Sequence, residues 1–252
     1  MKRWLPAMII IFLFAPSAWA DVAAEHYNRG NRLYEQKDFA GALAAYDAAY
    51  DAGADDADLF LNLGNAAFRR NELGLAVWAY EMGLRRGPRH DDLRFNLRYA
   101  EAFLRDDLPE VEEAFLVRLA GAVAMTFTAG EALVVAAVAW FALGLVALLW
   151  LPRRKWRGRL VLTMVVAGMI LLVFAPLAGW RAYDQFAMER AVVTADELVV
   201  RTAPTAEASE AFTVHAGLRL EILDQRSRFA RVRVASGLQG WVPVNSYRTI
   251  SP

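Results

Sequence analysis

The chain has 252 residues, 57% of them hydrophobic and 22% charged, with a mean hydropathy of +0.23. That is too apolar for an ordinary soluble domain, so part of the chain belongs in lipid. Its 28 basic and 28 acidic residues cancel, which leaves no global charge to attract nucleic acid, and the absence of cysteine excludes disulfides, thiolate metal sites and a cysteine nucleophile. The cancellation hides segregation along the chain. Residues 21–114 carry 11 basic and 19 acidic side chains, residues 152–159 carry 5 basic and none acidic, and residues 181–252 carry 9 basic and 8 acidic.

Lys2 and Arg3, the apolar run Leu5 to Phe14 and the small-residue site Ala18-Trp19-Ala20 read as a secretory signal peptide over 1–20, cleaved to start the mature chain at Asp21. The apolar run is too short to span a bilayer. Beyond it the sequence matches itself at one offset. Asn28-Arg29-Gly30-Asn31 returns as Asn62-Leu63-Gly64-Asn65, Phe39 aligns with Leu73, Ala42 with Ala76 and Tyr46 with Tyr80, a period of 34 residues. Each unit predicts two amphipathic helices, with Gly and Ala at close approaches and aromatics between units. A half-unit from Asp91 to Leu104, with Asn96 one period beyond Asn62, predicts a capping helix.

These residues resemble the tetratricopeptide repeat (TPR) over 21–107. The resemblance implies a concave face lined by the first helix of each unit, with Tyr27, Asn31, Tyr34, Leu61, Asn65, Phe68, Phe95 and Tyr99 as partner-binding residues. An asparagine amide suits an extended backbone because it both donates and accepts, and aromatics add contact area at small entropic cost. The alternative is that Asn31 and Asn65 satisfy neighbouring helix groups. Tyr27 and Asp58 stand where that family places lysines to clamp a terminal carboxylate, which argues against C-terminal peptide capture.

Residues 108–130 predict an amphipathic linker, with Phe115, Leu116, Leu119 and Val123 at helical spacing behind the acids Glu110, Glu112 and Glu113. Thr128 and Glu131 predict a capping box. Transmembrane helices follow at 131–151 and 160–180, separated by the basic loop 152–159 with Arg153, Arg154, Lys155, Arg157 and Arg159. The positive-inside rule places that loop in the cytoplasm, as the signal peptide also requires. Gly144 and Gly168, at similar depth, predict the closest approach of the two helices, and Pro176 predicts a bend. With no ionisable residue in either run, the hairpin reads as an anchor in the bilayer.

From Ala191 the pattern turns to five short β-rich runs: Ala191 to Val193, Leu198 to Val200, Leu218 to Leu223, Phe229 to Val234 and Gly240 to Val244. With Leu198 to Pro204, His215-Ala216-Gly217 and Gly237-Leu238-Gln239-Gly240-Trp241-Val242-Pro243, residues 188–252 resemble a bacterial SH3-like domain, which implies a small barrel. Trp241 and Tyr247 are its possible ligand aromatics, the alternative being packing. His26, His90 and His215 show no metal-ligand spacing and no catalytic partner. The expectation is therefore no enzyme, no catalytic residue, no metal and no cofactor.

The predicted fold class is multidomain: an all-α TPR solenoid, a two-helix transmembrane hairpin and an all-β SH3-like barrel. In that order the parts resemble the BatE-like proteins of bacterial aerotolerance (Bat) operons, which combine TPR and SH3 domains. The resemblance implies a multi-pass protein of the bacterial inner membrane with N- and C-terminal domains in the periplasm. Its partners would be proteins, von Willebrand A-type membrane proteins among them, in an envelope stress complex with a MoxR-type ATPase. Two functions follow as expectations: a scaffold acting through the helical groove, or a peptidoglycan-binding envelope sensor or anchor acting through the SH3-like part.

Overall fold

The computed structural model describes residues 21–106, 126–150, 157–186 and 188–250. The signal peptide, most of the amphipathic linker and the loop residues 151–156 lie outside the described residues. What is described falls into two compact units, one made of 21–106 with 189–250 and the other lying within Glu110–Met188.

In the first unit, α1 covers residues 21–35, followed by α2 (Phe39–Asp51), α3 (Ala57–Arg69), α4 (Leu73–Arg86) and α5 (Asp91–Glu101). The period of 34 reappears in the geometry. Lys37 and Asn71 both take φ 64° in the turns after α1 and α3. Asp38 N–H then bonds the Leu33 carbonyl at 2.9 Å and Glu72 N–H the Ala67 carbonyl at 3.0 Å, closing the two helices identically. Gly30 packs on the Tyr46 ring and Gly64 on the Tyr80 ring so closely that an added Cβ would enter either ring. Helix starts are capped by Asp38 on Gly41 N–H, by Asp56 on Asp58 and Leu59 N–H, and by His90 Nδ1 on Leu93 N–H.

The same unit holds seven strands: β1 (Arg190–Val193), β2 (Glu197–Arg201), β3 (Glu210–His215), β4 (Arg219–Arg226), β5 (Phe229–Arg233), β6 (Gln239–Pro243) and β7 (Tyr247–Ile250). They form one antiparallel sheet in the order β3-β2-β6-β5-β4-β1-β7. This corrects the predicted fold class. Instead of separate domains ending in a closed SH3-like barrel, the chain has a helical bundle and an open sheet whose edges, β3 and β7, do not pair. The physical reason lies at β7. Its carbonyls accept bonds from the bundle, Thr249 from Trp78 Nε1 at 2.9 Å and Ile250 from Arg85 at 3.1 Å, so a helix covers the edge that closure would have paired.

Strand β1 joins the two layers. Val192 and Ile250 enter the helical core with Tyr46, Phe60 and Trp78, while Ala191 and Val193 enter the sheet core with Val200, Leu220 and Val232. Alternation on a strand permits this, because successive side chains face opposite sides. Gly74 at the start of α4 meets the backbone of Val193 and Thr194, and Gly217, at φ 91°, receives Leu104. Arg219 bridges Glu81 and Glu101, and Asp106 accepts from His215 backbone N–H and lies 2.7 Å from its Nδ1. Burial alone would lower the Arg219 pKa, but the two carboxylates more than offset this and hold it above the ordinary arginine value.

The second unit contains α6 (Ala129–Trp150) and α7 (Arg157–Phe186), which pack against each other. The predicted capping box is present: Glu131 N–H bonds Thr128 Oγ1 at 3.1 Å and Thr128 N–H bonds Glu131 Oε2 at 2.9 Å. Within these helices Ala129–Leu149 and Leu160–Asp184 are long and apolar enough to cross a membrane. Their large side chains, such as Phe141, Leu148, Leu162 and Leu172, face outward. The buried residues of the pair are mostly alanines, Ala132, Ala136, Ala139, Ala167 and Ala178, with Val146. Gly144 and Gly168 meet nothing, so they are not the point of closest approach. Pro176 lies inside α7, which continues through it.

Candidate functional site

The predicted groove residues separate into a bonded ladder and an open aromatic face. In the ladder, Asn31 Oδ1 accepts from Tyr46 Oη at 2.9 Å and from Asn62 Nδ2 at 3.3 Å, and Asn62 also donates to Tyr27 Oη at 2.9 Å. One period on, Asn65 Oδ1 accepts from Tyr80 Oη at 2.9 Å and from Asn96 Nδ2 at 2.8 Å. Burial pushes the hydroxyl pKa of Tyr46 and of Tyr80 well above the ordinary tyrosine value, so both remain protonated donors. Asn31 and Asn65 thus satisfy neighbouring helices with their oxygens, the alternative left open above, and the same bonds orient each amide with its nitrogen away from the ladder.

Tyr34 packs edge-on against Phe39 at 5.2 Å, and Leu61 is half-buried at the margin of the helical core. The remaining predicted residues gather at α5. Phe95 is 61% exposed and Tyr99 51% exposed, their rings stacked 6.4 Å apart, with Phe68 5.5 Å from Tyr99. Phe103, not predicted, completes this patch: it is 51% exposed and lies 5.2 Å from Tyr99 and 5.7 Å from Phe68. Its spacing of four from Tyr99 and eight from Phe95 was the available signal.

On the sheet, Tyr247 is 8% exposed and packs in the sheet core, where burial raises its hydroxyl pKa. Trp241 is half-buried, and the Arg226 guanidinium lies 5.3 Å from its ring centroid. The two aromatics are therefore not equivalent: one is core and the other is partly accessible under an arginine. Two of the three histidines also have structural work. His90 caps α5 and reaches Asp58 at 3.2 Å, and His215 meets Asp106.

No protein-family model and no curated protein matches the chain. With the open sheet described above, the TPR, SH3, Bat-operon and aerotolerance readings of the sequence are not borne out. What stands is a helical bundle joined to an open sheet, and two helices of membrane-spanning length and polarity.

Proposed function

We propose that the protein is a non-catalytic, membrane-anchored scaffold that holds a segment of a partner protein on the face of its helical bundle formed by α1, α3 and α5. The observation that carries this reading is the contrast between the two sides of the bundle. Trp78, Arg85 and Gly74 of α4 are sealed against β1 and β7, whereas Phe95, Tyr99 and Phe103 stay open to solvent. Contiguous exposed aromatics of this kind mark interaction surfaces in soluble parts of proteins.

The signal peptide and the basic loop support a bacterial inner-membrane location with both soluble parts in the periplasm. Photo-crosslinking in cells from a probe at Phe95, with a probe at the exposed Ser236 of the sheet's β5–β6 turn as comparison, tests the scaffold. A discrete protein adduct is expected from Phe95 and none from Ser236. Von Willebrand A-type membrane proteins, which the sequence resemblance implied, are the first identities to score. An empty lane at Phe95 counts against the reading. The second reading, a peptidoglycan anchor, draws on Trp241, the sheet's accessible tryptophan; co-sedimentation with purified sacculi that is lost in Trp241→Ala would favour it.

A further inference from the structure

The chemistry of the partner segment is legible on α5. On a helical wheel of about 100° per residue, Leu93, Leu97 and Ala100 form the buried side, and Phe95 and Tyr99 project from nearly the opposite side. Phe103, in the turn two residues past the end of α5, lies against Tyr99 and continues the aromatic row beyond the helix. A row of this kind is a ridge, and ridges pack into the groove between two ridges of another helix. A helix that ends a stack of repeats ordinarily turns a polar face outward. Here the outward face is aromatic, with Phe68 of α3 supporting Tyr99 and Phe103 from beside it.

Charge along the row is graded. Asp91 and Asp92 begin α5, while Arg98 lies in its last turn and Arg105 in the bend just beyond its end, both exposed and, among the described residues, without an ion-pair partner. A helix whose first turn carries Asp or Glu, as helix N-termini favour, matches this gradient when it runs antiparallel to α5.

Building on the scaffold reading, we infer that the partner segment is an acidic amphipathic helix that docks antiparallel on α5, its apolar side on Phe95, Tyr99 and Phe103 and its acidic first turn over Arg98 and Arg105. The test uses the full-length protein in lipid nanodiscs and two fluorescent peptides of about 18 residues, long enough to cover the row. Both carry one apolar stripe; one has Glu in its first turn and the other has Lys there. Anisotropy should show saturable binding of the Glu peptide, about ten-fold tighter than the Lys peptide, since two surface charge pairs change from attraction to repulsion.

Arg98→Glu/Arg105→Glu should reverse the preference, and Phe95→Ser/Tyr99→Ser should abolish binding of both peptides. These side chains are exposed, and unchanged circular dichroism confirms that folding is intact. Equal binding of the two peptides, or a preference that survives the charge reversal, overturns the inference, as does failure of both to bind. Its failure is separable from that of the scaffold reading, which falls only if in-cell crosslinks from Phe95 are also empty.

Discussion

Asn65 illustrates how one side chain serves two helices. Its oxygen satisfies the buried Tyr80 hydroxyl and the Asn96 amide together. Asn65→Ala strands the Tyr80 hydroxyl in the core and should cost about 1–3 kcal/mol, whereas Tyr80→Phe removes donor and need at once and should cost no more than about 1.5 kcal/mol. Melting of the two variants and the double variant checks the order; equal costs would mean the hydroxyl finds another partner. Gly64→Ala drives a methyl into the Tyr80 ring and should cost about 1–3 kcal/mol by overpacking. Asp47 makes a pH prediction. Burial raises its pKa, and Arg248 at 3.4 Å opposes that only in part. With the folded value above the unfolded one, folding favours the protonated form. That stabilisation is fully present below the ordinary carboxylate pKa and is lost as pH rises through the raised folded value. Asp47→Asn should flatten the melting temperature across that window, and an unchanged pH profile would show that the group is not responsible.

At the scale of elements, β7 is the junction on which the first unit depends. Trp78→Phe keeps most of the buried area but deletes the donor to the Thr249 carbonyl, so it should cost about 1–3 kcal/mol. Hydrogen exchange should quicken selectively in β7 and β1. Exchange that rises equally in β3, at the far edge, would show that the cap is not local. Gly74→Ala should loosen the same junction, because its Cβ meets Val193 and Thr194 backbone that cannot rotate away, while Gly130→Ala, facing open space, should be nearly neutral. This junction also explains what the sequence concealed. Period and capping chemistry are local, so the helices, the Thr128–Glu131 box and the aromatics at Phe95 and Tyr99 were legible. β7 has only four residues and β3, though six long, is exposed at its first two positions, so neither carries the apolar alternation that marks a strand. Whether a sheet closes depends on what meets its edges, and Trp78 lies 171 positions from Thr249. A count of five strands therefore suggested a barrel that the bundle prevents. The ladder was half legible: the asparagine spacing showed, but their use by tyrosines 15 residues on is a tertiary fact.

At the scale of the whole molecule, if the two apolar helices cross a bilayer as proposed, their orientation decides which compartment sees α5 and the sheet. Arg153, Arg154, Lys155, Arg157 and Arg159 lie in or beside the connection between them, and no acidic residue offsets them there. Positive charges in so short a loop bias it to the cytoplasm. The N-terminal run, with Lys2 and Arg3 before its apolar stretch, predicts the same orientation if it acts as the export signal its sequence pattern suggests. Since the bundle and the sheet form one unit, a topology that exported only one of them would break the β1 and β7 contacts as well as the charge rule. The natural absence of cysteine makes the test clean. Single cysteines placed at Asp51 in the bundle and at Ser227 in the β4–β5 turn should react with a membrane-impermeant maleimide on intact spheroplasts. A cysteine at Arg157 should react only after the membrane is opened. Neutralising Arg153, Arg154 and Lys155 together should weaken the orientation and let a fraction of the Arg157 site label from outside. Labelling at Ser227 that needs an opened membrane would sink the hairpin, because the sheet would then face the cytoplasm, away from the compartment in which the bundle was proposed to hold its partner.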